Sequence, residues 1–448
     1  MRKKQARKMT DITVTGGGFA GVEAAWQLAK RGISVTLYEM KPEKFSPAHS
    51  NTGLAELVCS NSFKATRLGC AAGLLKAEME LMGSLCVECA KKTAVPAGGA
   101  LAVDRDKFSA LVTEKIESEP LITVVRKEIT DIPDTPVIIA AGPLASEALS
   151  GKIAALCNGN LSFFDAAAPI VTAESINMSK AFCQSRYDRG EPDDYINCPM
   201  NKEEYEAFYT ELINAQIALV HDFDKNKGVY EGCMPIEIMA KRGKDTIRFG
   251  PMKPSGLTDP ATGHRPWANL QLRKENEQGT MYNLVGFQTN LKFGEQKRVF
   301  SMIPALENAE FVRYGVMHRN TFINSPEVLE YGYRFRGREN LWFAGQITGV
   351  EGYMESAGSG IIAGINAARY LEGESPLNLP ETSMLSALAN YVCTPNKNFQ
   401  PMGASFGLLP PPENKIRDKR ERYEALSARA LADLRESLKG QGELLTEE

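Results

Sequence analysis

The sequence lacks the features that direct a protein to or through a membrane. No apolar run approaches the ~20 residues needed to span a bilayer. The first residues, which we assign to a basic tail over 1–10, carry no apolar core, and this excludes a secretory signal peptide. No internal repeat or low-complexity segment is evident either. We therefore expect a cytoplasmic protein with no membrane partner.

Paired cysteines and metal-ligand spacings are also scarce. Nine cysteines, an odd number, without an export signal predict thiols rather than a disulfide framework. Cys86 and Cys89 form a lone C-x-x-C, and no second ligand pair follows at a spacing suited to zinc. We expect no metal. The pair is either a redox dithiol or, as we favour, two cysteines on a buried helix.

Net charge is small, but its distribution is uneven. The chain carries −3 overall, which does not mark it as a nucleic-acid binder. Residues 240–320, however, hold 13 Lys or Arg against 7 Asp or Glu, a local net of +6 that leaves −9 for the remainder. This segment favours an anionic partner, and a solvated hairpin surface is the alternative interpretation.

By contrast, the N-terminal part is rich in the features of a dinucleotide-binding unit. A short apolar run meets a glycine turn at 16–21, and a helical segment and a second apolar run ending in Glu39 follow. Gly16, Gly18 and Gly21 occupy the three fingerprint positions, which allow a tight turn, close approach to a pyrophosphate and close helix–strand packing. Free N–H groups at the helix start would face the phosphates, and Glu39 would accept from ribose hydroxyls.

Two later strand ends are similar to the first. The apolar run 136–143 closes in a small-residue turn at Gly142. The run 341–349 passes through Gly345 and Gln346 and precedes an apolar helix. Three such ends, spread along the chain, predict an α/β fold with one Rossmann-like nucleotide-binding domain that is interrupted by an insertion.

The predicted boundaries follow from this pattern. The nucleotide-binding domain is discontinuous and the insertion is of mixed α+β type, with a charged helical tail at the end of the chain; the ranges are 11–167 and 326–415, 168–325, and 416–448. In the insertion, Asn201 caps a predicted helix that extends to Ala218. Alternating runs predict antiparallel strands at 269–273, 283–289 and 298–303.

Two cysteines lie among polar, glycine and proline residues, which are unusual in an apolar core. Cys59 is followed by Ser, Asn and Ser, turn and cap residues that predict a position near a helix N-terminus, where a thiol ionises more readily. Cys233 lies after a glycine and two residues before Pro235, in a predicted bent loop with two carboxylates nearby. Taken singly, each pattern is more often that of a quiet buried thiol.

Six motifs in order resemble the folate- and FAD-dependent tRNA (uracil-5-)-methyltransferases. They are GGGFAGVEAAWQ at 16–27, LVCSNS at 57–62, YEGCMPIE at 230–237, NLVGFQTNLKFGEQKRVF at 283–300, RYGVMHRNTFIN at 313–324 and FAGQITGVEGYMESAGSG at 343–360. The resemblance extends from about Ile12 to about Ser405. It implies transfer of a one-carbon unit from 5,10-methylenetetrahydrofolate to C5 of the T-loop uridine of tRNA, with FAD as cofactor and NADPH or NADH as reductant.

The resemblance also implies residue roles. Cys59 corresponds to a nucleophile that adds to uracil C6 and Cys233 to a general base that removes the C5 proton, although a thiolate suits either role. His318 resembles the residue that stacks on the folate pterin ring, and Arg313 and Arg319 would contact folate carboxylates or RNA phosphates. The residues expected to bind FAD are Gly16, Gly17, Gly18, Phe19, Ala20, Gly21, Glu39, Gly142, Gly345, Gln346 and Tyr353.

Four alternatives remain at this point. The same chemistry could act on 23S rRNA. The chain could be related to the larger FAD-dependent enzyme that modifies the tRNA wobble uridine, whose long C-terminal helical domain is not found in this sequence. A flavin disulfide reductase would use Cys86 and Cys89, but would leave Cys59 and the basic segment without a purpose. Finally, the protein could bind RNA and retain FAD for structural reasons.

Overall fold

The computed structural model describes residues 11–159, 161–191, 193–218, 234–396, 399–412 and 414–443. For residues 161–165, 188, 318 and 319 only the backbone is described. Within these ranges, no helix combines the length and apolarity needed to cross a membrane.

Strands and helices alternate along the first part of the described chain. The strands are β1 (Asp11–Thr15), β2 (Ser34–Glu39), β3 (Ser62–Ala65), β4 (Ala94–Val95), β5 (Ala100–Val103), β6 (Ile122–Arg126), β7 (Val137–Ile139), β8 (Leu161–Ala166), β9 (Ile170–Thr172), β10 (Phe182–Cys183), β11 (Tyr195–Met200), β12 (Ala268–Lys274), β13 (Met281–Leu284), β14 (Phe311–Arg313), β15 (Met317–Phe322), β16 (Leu329–Glu330), β17 (Arg334–Phe335) and β18 (Leu341–Phe343). The helices are α1 (Phe19–Lys30), α2 (Ala71–Leu81), α3 (Leu85–Lys92), α4 (Arg105–Ser118), α5 (Glu147–Leu156), α6 (Lys202–Asn214), α7 (Ile236–Ala240), α8 (Thr246–Phe249), α9 (Phe293–Phe300), α10 (Ser325–Val328), α11 (Tyr353–Glu372), α12 (Met384–Cys393) and α13 (Lys419–Gly440).

A seven-stranded sheet joins the two ends of the chain. Its order is β16-β17-β18-β7-β1-β2-β6, and the five strands from β18 to β6 are parallel. Strands β1, β2, β6 and β7 come from the N-terminal part, whereas β16, β17 and β18 come from beyond residue 328. The parallel sheet with crossover helices confirms the predicted α/β class with an interrupted nucleotide-binding fold.

Glycines let the C-terminal helix α11 pack directly on α1. A Cβ atom on Gly360 would lie 2.2 Å from the carbonyl oxygen of Ala20, and one on Gly364 would lie 2.8 Å from that of Ala24. The two helix backbones can approach this closely only because both positions lack side chains. This contact places the strand end at Gly345 beside the glycine turn at 16–21.

The insertion forms its own antiparallel sheet and core. Six strands pair in the order β10-β11-β12-β13-β9-β14. Helices α6 to α9 pack with this sheet around a core that includes Phe208, Phe287 and Phe300. The strands that lead into and out of this region, β8 and β15, pair with each other in antiparallel register.

The predicted cap of α6 is confirmed, and one predicted strand is wrong. The Asn201 side chain accepts from the Glu204 N–H at 2.9 Å, and the Glu204 carboxylate accepts from the Asn201 N–H at 2.8 Å. The helix ends at Asn214 rather than at residue 218. Residues 298–300 end helix α9 and residues 301–303 follow it as a turn, rather than forming a strand, because Gln296, Val299 and Phe300 have helical spacing and are buried together.

Helix α13, near the end of the described chain, lies against α2. Its apolar stripe of Leu426, Ala430, Leu434 and Leu438 is buried, as expected for an amphipathic surface helix. The exact limits of the predicted domains stay a prediction.

Candidate active site

A cavity of about 500 Å³ lies at the carboxyl ends of the parallel strands. In parallel α/β sheets this edge is where ligands bind. It brings together most of the residues predicted to hold a cofactor: Gly16, Gly17, Gly18, Phe19, Ala20, Glu39, Gly142, Gly345, Gln346 and Tyr353. Gly21 does not line the cavity. A Cβ atom there would stand 1.8 Å from the carbonyl oxygen of Gly16, so its role is close packing of helix on strand.

The first glycine turn leaves room and hydrogen-bond donors for an anionic group. Gly16 has a φ of +95°, and a Cβ atom there would lie 2.6 Å from the Ala140 carbonyl oxygen. A Cβ atom on Gly18 would meet no described atom within 4 Å, so this backbone faces open space. Gly18 is also the N-cap of α1 and provides no side-chain cap, which leaves N–H groups of the first helical turn for a ligand.

Glu39 is fixed by backbone donors at the end of β2. One carboxylate oxygen accepts from the Gly17 N–H at 2.9 Å and the other accepts from the Lys41 N–H at 3.0 Å. Each carboxylate oxygen has a further lone pair, so the group can still accept from a ligand hydroxyl. The contact with Gly17 ties the acid to the glycine turn.

Cys59 lines the same cavity, in a segment that we call the cysteine loop, residues 57–61. The residues after Cys59 do not start a helix, because the chain continues into strand β3 from Ser62; the helix start beside its sulfur is instead that of α11, at Tyr353. The polar residues that suggested a cap instead make a local turn, in which the Ser62 N–H donates to the Ser60 hydroxyl at 3.2 Å.

Tyr353, the first residue of α11, contacts the cysteine loop directly. Its phenolic oxygen accepts from the N–H groups of Val58 and Cys59 at 2.8 and 2.9 Å, and it lies 3.2 Å from the Cys59 sulfur. A phenol has two lone pairs and one proton. Because both lone pairs are in use, the O–H is left to donate to the sulfur. Burial raises the pKa of Tyr353 well above its ordinary value, so the phenol keeps that proton.

Two arginines that sequence reasoning missed brace this loop. Arg105 donates to the Leu57 carbonyl oxygen at 2.8 Å and forms an ion pair of 2.5 Å with Glu275. Arg273 donates to the Asn61 side-chain oxygen at 3.0 Å and lines the cavity. A charged residue inside the otherwise buried strand β12 is a signal that could have pointed to Arg273. Arg105 begins an ordinary capped helix and gives no such signal.

The surroundings of the Cys59 sulfur are therefore electropositive. Arg313, predicted as a folate or RNA contact, ends strand β14, and burial followed by repulsion from Arg105 lowers its pKa. Its charge also interacts with that of Cys59. Arg105, Arg273 and Arg313 are accompanied in this cluster by the carboxylate of Glu275. Such an excess of positive charge, together with a donated hydrogen bond, favours a thiolate.

The remaining predicted site residues are described only in part. His318 and Arg319 lie in strand β15, where His318 is the register partner of Asp165; their side chains are outside the description. Cys233 lies outside the described residues altogether. Three residues after it, the Ile236 N–H donates to the carbonyl oxygen of Gln288 at 2.7 Å, and Gln288 lines the cavity.

Cys86 and Cys89 have quite different surroundings. Both are fully buried on helix α3 in the main apolar core, and neither forms a disulfide with a described cysteine. Burial raises the pKa of Cys86 well above its ordinary value and that of Cys89 to about 12. The interpretation as two cysteines on a buried helix is confirmed, and a redox dithiol finds no support.

Comparison with known proteins identifies relatives along nearly the whole chain. The family described as "Glucose inhibited division protein A" matches residues 11–375. The methylenetetrahydrofolate–tRNA-(uracil-5-)-methyltransferase TrmFO of Lactobacillus johnsonii is 58% identical over 427 residues, which cover 95% of this chain and 97% of that protein. The protein of the same name from Acetivibrio thermocellus is 59% identical over 428 residues, covering 95% and 98%.

Solved structures show the same fold at low sequence identity. Aquifex aeolicus GidA, in its form I crystal, superposes with a TM-score of 0.71 at 17% identity and covers 98% of this chain and 76% of that chain. The form II crystal gives a TM-score of 0.66 at 16% identity, with the same coverage. This likeness supports the arrangement of the fold alone.

Proposed function

The chain belongs to the glucose inhibited division protein A family and, within it, to the methylenetetrahydrofolate–tRNA-(uracil-5-)-methyltransferases, and from this membership we propose that it methylates C5 of a uridine in tRNA. The carbon donor is 5,10-methylenetetrahydrofolate. The observation that carries the proposal is the placement of Cys59, hydrogen-bonded to Tyr353, in the same cavity as the dinucleotide-binding turn.

The residues that line the cavity fit FAD. The open face of Gly18 and the uncapped start of α1 suit its pyrophosphate, and Glu39 suits a ribose hydroxyl. We propose that the strand ends at Gly142 and at Gly345 and Gln346 line the rest of its path. FAD bound there would supply the redox chemistry: with hydride from NADPH or NADH it would provide the two electrons that bring the methylene unit of the folate to the oxidation level of a methyl group.

Uracil C5 is a poor nucleophile, and addition of Cys59 to the ring activates it. The Cys59 thiolate adds to C6, forming a carbon–sulfur bond, and the C5–C6 electron pair moves towards the C4 carbonyl to give an enolate. C5 is then nucleophilic and can take the incoming carbon. After C5 loses its proton, the carbon–sulfur bond breaks, the C5–C6 double bond returns and the thiolate leaves.

Other residues of the chain support this step. The Tyr353 hydroxyl and the neighbouring guanidinium groups stabilise the negative sulfur before addition and after elimination. We propose Cys233 as the base that removes the C5 proton. We further propose that Arg313, with His318 and Arg319 of the nearby strand β15, contacts folate or RNA; the partly buried Arg313 supports this through its electrostatic interaction with Cys59.

We infer that the target is the uridine of the T loop, in the cytoplasm where tRNA is processed. A test incubates the purified, flavin-containing protein with methylenetetrahydrofolate, NADPH and an unmodified tRNA transcript. The expected product is one 5-methyluridine, located in the T loop by mass spectrometry of nuclease fragments. A transcript in which cytidine replaces the target uridine is the matched control.

The same assay decides between substrates. Fragments of 23S rRNA are tested beside tRNA under identical conditions. Methylation of rRNA but not of tRNA would replace the proposed substrate. A protein that is colourless and takes up no flavin when FAD is added would contradict the cofactor assignment itself.

A further inference from the structure

A second surface, remote from the cavity, exposes aromatic and basic side chains together. We call it the Trp267 surface; it consists of Lys202, Arg248, Phe249 and Trp267. Phe249 is 69% exposed and Trp267 is 36% exposed. Large aromatic side chains in a monomer are normally covered, so two neighbouring exposed rings mark a candidate interaction site.

The charges of this surface lie over its rings. The guanidinium carbon of Arg248 is 3.9 Å from the ring centre of Trp267 and 5.0 Å from that of Phe249. The Lys202 ammonium is 5.7 Å from the Trp267 ring centre. The Arg248 Nε–H donates to the Trp267 carbonyl oxygen at 2.9 Å, which holds the guanidinium over the indole.

The balance of charge favours an anionic partner. Residues 240–267 include six Lys or Arg and two Asp; beside them, Glu206 of helix α6 pairs with Lys244 at 2.8 Å. Arg248 has an ion pair with Asp245 at 3.4 Å, and Lys202 has one with Glu206 at 4.0 Å. Both pairs are long and reach solvent, with the Arg248 side chain 18% exposed and the other three between 38% and 59%, and such pairs stabilise little. A phosphate can therefore replace the carboxylate in either pair.

We propose that the Trp267 surface binds the tRNA outside the reacting uridine, with basic side chains on phosphates and an aromatic ring stacked on an unpaired base. The inference rests on the proposed function, because it concerns the same substrate. Aromatic rings interleaved with cations are the combination that binds RNA bases and backbone at once. An anionic protein partner would satisfy the charges but has no planar bases to stack on the rings.

Strand β12 gives the distance between this surface and the cavity. Trp267 immediately precedes the strand, and Arg273 near its far end lines the cavity. Six residues at a rise of about 3.3 Å place the two about 20 Å apart. Protein domains that bind double-stranded RNA contact about 16 base pairs of it, a length well beyond 20 Å. One tRNA can therefore reach both places.

The test measures binding of an unmodified tRNA transcript to the full-length flavoprotein at several salt concentrations. Arg248→Ala and Trp267→Ala should each weaken binding about tenfold, in line with the loss of one stacked base or charged contact. Arg248→Ala should also reduce the slope of log Kd against log salt by about one, and Trp267→Ala should leave the slope unchanged. Trp267→Phe should restore much of the affinity.

Two controls keep the outcome decisive. Arg420→Ala removes an exposed arginine on helix α13 and should bind tRNA like the wild type. Lys202→Ala removes an exposed cation without touching the Arg248 contact, so its weaker binding supports the proposal even if Arg248→Ala folds poorly. Reduction of the flavin by NADPH should be equal in all variants.

The proposal falls if the wild type binds and methylates tRNA while all three surface variants bind it equally well. It also falls if Trp267→Ala converts a dimer to a monomer, because the surface would then join two copies of the chain. If the wild type neither binds nor methylates tRNA, the proposed function fails first, and the two failures are thereby distinguished.

Discussion

The cysteine loop and helix α3 hold the same chemical group in opposite surroundings. The Cys59 sulfur lies in a cavity, beside a phenol that donates to it and near positive guanidinium groups. Cys86 and Cys89 lie in an apolar core. Burial raises the pKa of Cys89 to about 12, so this thiol stays protonated at pH 7. The C-x-x-C spacing is the more conspicuous motif, yet the isolated cysteine has the reactive environment.

The largest difference between the two regions should appear when each thiol is removed in turn. Cys59→Ala should lower tRNA methylation on the order of 10³-fold or more, because nucleophilic addition has no substitute. It should also abolish the covalent adduct with tRNA that contains 5-fluorouridine, detected by denaturing gel electrophoresis.

The matched control is Cys86→Ala. This change should cost about 1–2 kcal/mol of unfolding free energy, because it leaves a small cavity, but should leave the adduct and the activity per folded molecule intact. An undiminished adduct in Cys59→Ala would move the nucleophile to another thiol, with Cys233 the first to test.

The next largest effect is expected from removal of the Tyr353 hydroxyl, which donates to Cys59. Tyr353→Phe removes the donor to Cys59 and keeps the ring that packs 4.8 Å from Phe19. Hydrogen bonds to charged groups contribute about 1.5–3 kcal/mol. Alkylation of Cys59 by iodoacetamide near pH 7 should therefore slow about tenfold or more, and its pH profile should move to higher pH.

Mass spectrometry of the Cys59 peptide gives this rate directly. Tyr205→Phe, in the core of the insertion, removes a buried phenol hydroxyl elsewhere and should leave the rate unchanged. A similar pH profile in Tyr353→Phe and the wild type would show that the phenol serves only to hold the loop backbone.

The parts of the site that sequence reasoning predicted are those encoded by short segments. A glycine turn after an apolar run has one structural solution, and the ends at Gly16, Gly142 and Gly345 all reach the cavity. Strand order then follows, because parallel strands joined by helices bring their carboxyl ends to one edge. The fold class could therefore be predicted from the sequence alone.

The parts that sequence reasoning missed depend on distant contacts. Tyr353 and Cys59 are 294 positions apart, and Arg273 meets Asn61 across 212 positions. No local pattern specifies such pairs. The error at Ser60 has a related cause, because serine and asparagine suit a turn before a strand as well as a helix cap. Tertiary structure decided between the two.

The smallest expected effect concerns stability near the buried cysteines. Glu23 caps helix α3, accepting from the Cys86 N–H at 2.8 Å, from the Leu85 N–H at 3.2 Å and from the Ser84 hydroxyl. Burial raises the pKa of Glu23 to about 7 from an ordinary 4.5. Between these values the folded protein keeps a proton that the unfolded chain has released. The unfolding free energy therefore falls as pH rises, by at most about 1.4 kcal/mol per unit.

Glu23→Gln cannot titrate, so its unfolding free energy should depend less on pH between about 5 and 7 than that of the wild type. Urea midpoints at pH 5, 6, 7 and 8 measure the difference. Some dependence should persist, because burial also raises the pKa of Glu78 to about 7; this residue of α2 accepts from the Met384 N–H at the start of α12. Adding Glu78→Gln should flatten the curve further. Alkylation of Cys59 should not change in either variant. Equal slopes in all three proteins would mean that the carboxylates stay ionised, and that the helix N-termini they cap compensate for burial.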